Sequence, residues 1–125
     1  VKLSELAVGI GPFVVGPAVE RKIGTSAFSQ LTIDAASWKE ASWAREKSLY
    51  AEVFDTHSAL DEAVNKLATT LAASNPEAMM MLKKIMWEGT ENWDQLLLER
   101  AGMSGKLVLS DFTRNAIGKF KQGAR

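Results

Sequence analysis

Positions 1–24 read VKLSELAVGIGPFVVGPAVERKIG, and within that stretch a carboxylate, Glu5, stands inside an apolar run that ends in a turn dense in glycine and proline. At period two, Val1, Leu3 and Glu5 share one face and Lys2, Ser4 and Leu6 the other, so residues 1–6 read as a short strand with Glu5 among apolar neighbours. A carboxylate on such a face is solvated through a cleft, hydrogen-bonded, or kept for chemistry. Gly9, Gly11, Pro12, Gly16 and Pro17 then mark a turn, and the segment from Pro12 or Pro17 to Lys22 reads as a short helix closed by Gly24. Its N-terminus falls just beyond Glu5.

Working outward, Thr25 and Ser26 can cap a second helix with Ala27, Phe28, Leu31 and Ile33 inward. Ser37 can cap a third through Trp38, Ala41 and Ala44. Tyr50-Ala51-Glu52-Val53-Phe54 is a second strand candidate. Beyond it the pattern turns helical: Ser58 with Asp61 resembles a capping box, and Leu60, Val64, Leu67 and Leu71 recur at helical spacing. Asn75-Pro76 gives an N-cap followed by proline at the first helical position, with Ala78, Met81, Leu82 and Ile85 inward before Gly89. Thr90 or Asn92 opens the next helix, which carries Trp93, Leu96 and Leu97 and meets Gly102 and Gly105 as candidate interruptions. A last helix, capped near Ser110, carries Phe112, Ala116 and Phe120 at four-residue steps. The chain is therefore expected to be mainly α-helical with one or two short strands. An isolated strand lacks neighbours for its backbone groups, and the chain starts inside one, so it reads as the C-terminal portion of something longer.

The bulk numbers narrow the function classes. The 125 residues match one domain, and 15 basic residues balance 15 acidic ones, which favours neither nucleic acid nor an anionic membrane as partner. There is no cysteine, which excludes disulfides, thiol nucleophiles and cysteine-ligated metals and suits a cytoplasmic protein. No apolar stretch reaches the roughly 18 residues of a membrane span. His57, the single histidine, has no second imidazole to complete a metal site, and no metal is expected. Met79, Met80, Met81 and Met86 read as core or subunit-interface filler. Four tryptophans, Trp38, Trp43, Trp87 and Trp93, are too many to leave exposed, and some are expected in an oligomer contact.

Ser4-Glu5-Leu6-Ala7-Val8-Gly9-Ile10 resembles the segment where the crotonase superfamily of enoyl-CoA hydratases and isomerases carries a glutamate a few residues before a glycine-rich turn and helix. Ser37-Trp38-Lys39-Glu40-Ala41, followed by Ser48 to Phe54, resembles that family's short helix leading into a small strand. Asn75-Pro76-Glu77-Ala78, with Lys83 and Lys84 after it, resembles the next helix, and Phe112 to Phe120 the terminal aromatic and basic helix. These matches run in order across nearly the whole chain.

The resemblance implies an α/β crotonase-like fold in the full protein. Residues 1–55 would be the C-terminal part of its core, and 56–125 a helical region that assembles subunits and contacts coenzyme A. It implies an enzyme in which two upstream backbone N–H groups hold a thioester carbonyl and stabilise an enolate. Those donors and a first glutamate lie before Val1, so this chain alone is expected to be inactive. Glu5 matches the second glutamate, which works by general acid–base catalysis. Gly11, Pro12 and Phe13 fall at the acyl-binding wall, and Lys119, Phe120 and Lys121 at coenzyme A. The cofactor enters as part of an acyl-CoA substrate, with no prosthetic group, and the family assembles as trimers or dimers of trimers. Gly11-Pro12-Phe13-Val14-Val15-Gly16 is bulkier than the hydratase pattern and closer to that of some isomerases. Two other readings stay open: a Glu5 that only bonds backbone amides at the next helix, and a non-catalytic helical module whose apolar faces bind copies of itself.

Overall fold

The computed structural model describes residues 1–123, and among them the chain is helical with no strand. A 3-10 helix, Glu5–Val8, precedes six α-helices: α1 Gly16–Ile33, α2 Ala41–Glu46, α3 His57–Ala72, α4 Pro76–Met86, α5 Trp93–Val108 and α6 Asp111–Gly123. The mainly helical expectation stands. The two strands expected at 1–6 and 50–54 do not form among the described residues. A strand needs a neighbour along its whole length, and here Val1 alone finds one: it and Lys39 exchange both backbone hydrogen bonds, at 2.6 and 2.9 Å. From Ser4 the chain instead satisfies itself locally, the Ala7 and Gly9 amides donating to the Ser4 and Leu6 carbonyls at 3.1 Å. At 49–50 the amides of Leu49 and Tyr50 both donate to the Ala44 carbonyl, so the start of that segment closes α2.

The chain forms two compact units, residues 1–51 with 94–123, and residues 52–93. In the first, α1 is two helices in line. Pro17 occupies its first turn, where a missing N–H costs nothing. Gly24 breaks it with φ 76° and ψ 160°, a conformation only glycine takes readily. Beyond the break Ala27 and Leu31 are buried as expected, whereas Ile33 at the helix end is 75% exposed. Ala35 and Ala44 complete a small core with Gly16 and Pro17. Ser37 does not cap α2; Glu40 stands at that position, and Trp38 lies outside the helix, exposed, with the Lys2 ammonium 5.3 Å from its ring centre. α5 runs unbroken through Gly102 and Gly105.

α6 corrects the sequence reading of its inner face. Ser110 does cap it, its Oγ accepting from the Thr113 amide at 3.3 Å, but the residue turned inward is Thr113, fully buried, while Phe112 is 69% exposed. Thr113 Oγ1 accepts from the Ser110 hydroxyl at 3.2 Å, so the buried oxygen has a partner.

In the second unit, α3 starts at His57 rather than at Ser58. Thr56 is its N-cap, with Oγ1 accepting from the Ala59 amide at 3.2 Å. Asn75 caps α4 as its sequence indicates, Oδ1 accepting from the Glu77 and Ala78 amides at 2.9 and 3.2 Å. Trp87 and Trp93 meet edge to face with centres 5.8 Å apart. Neither α3 nor α4 buries a residue, so Leu60, Val64, Leu67, Leu71, Met81, Leu82 and Ile85, expected inward, are all substantially exposed.

Candidate functional site

The site is built on the turn between the 3-10 helix and α1. Gly9 ends the 3-10 helix in the left-handed conformation, φ 83° and ψ 18°, and its amide donates to the Glu5 and Leu6 carbonyls. The Ile10 amide also donates to the Glu5 carbonyl, at 2.9 Å. Glu5 is thus fixed at its backbone by the two residues that follow the helix. Its side chain is different. Oε2 is buried and has no hydrogen-bond partner among the described residues. Burying a carboxylate oxygen without a donor is costly, and such an atom in a native structure calls for an explanation. The proposal that Glu5 merely bonds backbone amides at the next helix finds no such bond to this oxygen.

Downstream of Gly9 the backbone folds sharply. The Phe13 amide donates to the Gly11 carbonyl at 2.8 Å, bringing the Phe13 ring over Gly11, where a Cβ would collide with it. The Gly16 amide donates to Pro12 at 2.8 Å and starts α1, and from α5 Arg100 Nη1 donates to the Phe13 carbonyl at 3.4 Å. A side chain at position 11 would displace the Phe13 ring.

The folded turn forms one wall of an open groove of about 470 Å³. Leu6, Gly9, Ile10, Gly11, Pro12 and Phe13 line it from the turn, Thr32 and Ile33 from the end of α1, Leu107 from α5 and Phe112 from α6. Gly11, Pro12 and Phe13, assigned to an acyl wall by resemblance, thus stand together in one apolar groove, and Glu5 belongs to the same 3-10 helix as the lining residue Leu6. Of the lining residues beyond the turn, Ile33 and Phe112 read in the sequence only as helix positions, and Thr32 and Leu107 carry no local signal. They come from 20 to about 100 positions further along the chain, and only tertiary packing collects them.

Lys119 and Lys121 are exposed on the last turns of α6, and neither lines the groove. The Phe120 side chain lies outside the described residues. His57 is exposed at the start of α3, and among the described residues no cluster of histidine and carboxylate side chains could hold a metal. No described helix is long and apolar enough to cross a membrane. Asp34, on the loop after α1, has a displaced acidity: Lys39 Nζ at 2.6 Å and the Ser37 hydroxyl hold its carboxyl below the usual range.

No protein-family model matches the chain, and no curated protein sequence matches it.

Chemically, the arrangement offers an apolar groove and a carboxylate with one unsatisfied buried oxygen on an adjoining turn. An apolar chain fits the groove by burial of its surface.

Proposed function

We propose that this chain is the C-terminal half of a crotonase-type enzyme acting on an acyl-CoA thioester by hydration or double-bond migration. Glu5 is the acid–base group in this reading, and the upstream half contributes the two N–H donors that stabilise the enolate. The observation that supports it is the buried, unpartnered Oε2 of Glu5 on the 3-10 helix whose Leu6 lines, with Gly11, Pro12 and Phe13, an apolar groove that Glu5 itself does not line. The acyl chain would lie along the Phe13, Ile33 and Phe112 surface, and the Glu5 side chain would have to turn out of its buried position to meet the reacting carbon. Lys119, Phe120 and Lys121 are the proposed contacts of the nucleotide end, and a cytoplasmic location accompanies the activity.

The test uses the gene-length protein. Wild type is expected to bind and turn over a short enoyl-CoA, and Glu5→Gln to lose about 10²–10⁴-fold in kcat, the range for general acid–base groups, with binding retained. Absence of thioester binding, or equal turnover in Glu5→Gln, refutes the reading.

Self-association is a second role, supported by the apolar stripes of α3 and α4, on which no residue is buried. Stripes of this extent are covered in stable proteins, and a homo-oligomer, a trimer or dimer of trimers, is proposed to cover them. Leu67→Glu with Ile85→Glu should then lower the sedimentation mass. An unchanged mass would reject that use of these faces.

A further inference from the structure

We infer that α6 is the positioning element for Glu5 and that it acts through Gly9, with Thr113 as the residue that sets the register. The inference rests on the reading of Glu5 as the acid–base group, but its geometry stands independently.

Three observations join end to end. Glu5 is held at its backbone by the amides of Gly9 and Ile10, so the Gly9 conformation dictates where the Glu5 backbone stands. Gly9 is in turn pressed against α6: a Cβ at that position would run into the edge of the Phe112 ring and come within 2.8 Å of Thr113 Oγ1. No side chain other than hydrogen leaves room for that approach. Thr113 is itself immobilised, fully buried and tied through both its amide and its hydroxyl to Ser110. The cap that starts α6 and the contact that seats Gly9 are therefore one structure. Thr113, without solvent exposure, does not touch a ligand in the groove, which separates its role from that of the groove-lining Phe112.

A carboxylate that exchanges protons with carbon must be held within a few tenths of an ångström of its working position, and a displacement of about 1 Å costs on the order of 10²-fold in rate. Removing the Thr113 side chain leaves a void beneath Gly9, and the turn settles into it.

The test compares Thr113→Ala with Thr113→Ser in the gene-length protein, at a temperature where circular dichroism shows all variants folded. Two readouts are taken. Amide hydrogen exchange at Gly9 and Ile10 reports the seating of the turn whatever the protein catalyses. Thr113→Ala should speed it at least tenfold while the amides of α3 and α4 stay unchanged, and Thr113→Ser should stay within about threefold of wild type, because it keeps the hydroxyl on Ser110. Turnover of a short enoyl-CoA should fall 10- to 100-fold in kcat for Thr113→Ala with KM within twofold, and recover in Thr113→Ser. Unchanged exchange at Gly9 and Ile10 in Thr113→Ala overturns the inference. So does faster exchange with unchanged kcat, which would make Thr113 a stability residue alone. If wild type has no thioester activity, the functional reading fails by itself, and the inference, that Thr113 positions a working Glu5, falls with it even where the exchange result confirms the seating.

Discussion

Replacing Gly9 with alanine tests the packing of the site before any catalysis is assayed. Two costs add. An L-residue in the left-handed region at φ 83° costs about 1–2 kcal/mol relative to glycine. The new methyl would also enter the space of the Phe112 ring and Thr113 Oγ1, and overpacking of this kind typically costs about 1–3 kcal/mol. Together they predict a loss of about 2–5 kcal/mol in the unit formed by residues 1–51 and 94–123, out of the roughly 5–15 kcal/mol that holds a domain. The assay is urea denaturation, with hydrogen exchange in α1 and α6 to assign the loss to this unit. A second variant separates the two terms. In a Phe112→Ala background the ring is gone, so Gly9→Ala should cost about 1–2 kcal/mol less than in wild type, a coupling within the range for residues in contact. A loss below about 1 kcal/mol, or the same loss in both backgrounds, would mean that α6 does not seat the turn.

Two further perturbations address other parts of the fold. Asn75→Ala removes the acceptor of two α4 amides and should destabilise residues 52–93 by about 1 kcal/mol, read as faster exchange at Glu77 and Ala78; unchanged exchange would count against the cap. Asp34 should titrate below 3.8, because Lys39 and then Ser37 favour its charged form. The folded value lies under the unfolded one, so this stabilising contribution is complete above 3.8 and disappears as pH falls through the lower, folded midpoint. NMR titration of the Asp34 carboxyl checks it, with Lys39→Met raising the midpoint; a midpoint at or above 3.8 would contradict the assigned hydrogen bonds.

Features written in neighbouring residues were legible from the sequence. Asn75-Pro76, the Ser110 cap and the break at Gly24 each depend on two to four adjacent positions, and each stands in the structure where the sequence placed it. Features set by distant partners were not. Residues 1–6 alternate like a strand, but a run that short also closes into i to i+3 bonds, and whether it does depends on a neighbouring strand that a local pattern cannot supply. On α6, Phe112, Ala116 and Phe120 and the face containing Thr113 have the same helical period. What selects Thr113 is the absence of a side chain at Gly9, more than 100 positions earlier. The groove shows the same division. Gly11, Pro12 and Phe13 drew attention through their composition, whereas Thr32 and Leu107 join them only once α1 and α5 are in place. The exposed stripes of α3 and α4 follow from an accurate periodicity joined to a missing cover.

The most direct test of the central claim is exchange of the α-hydrogens of a short acyl-CoA in deuterated water, followed by NMR with the gene-length protein. Hydration and double-bond migration pass through different enolates, but both exchange a proton at the α-carbon, so this readout does not depend on which of the two proposed reactions takes place. Wild type should wash the α-hydrogen into solvent, and Glu5→Gln should do so at least about 100-fold more slowly. Equal exchange in the two proteins, or none in wild type, would contradict the assignment of Glu5 as the acid–base group.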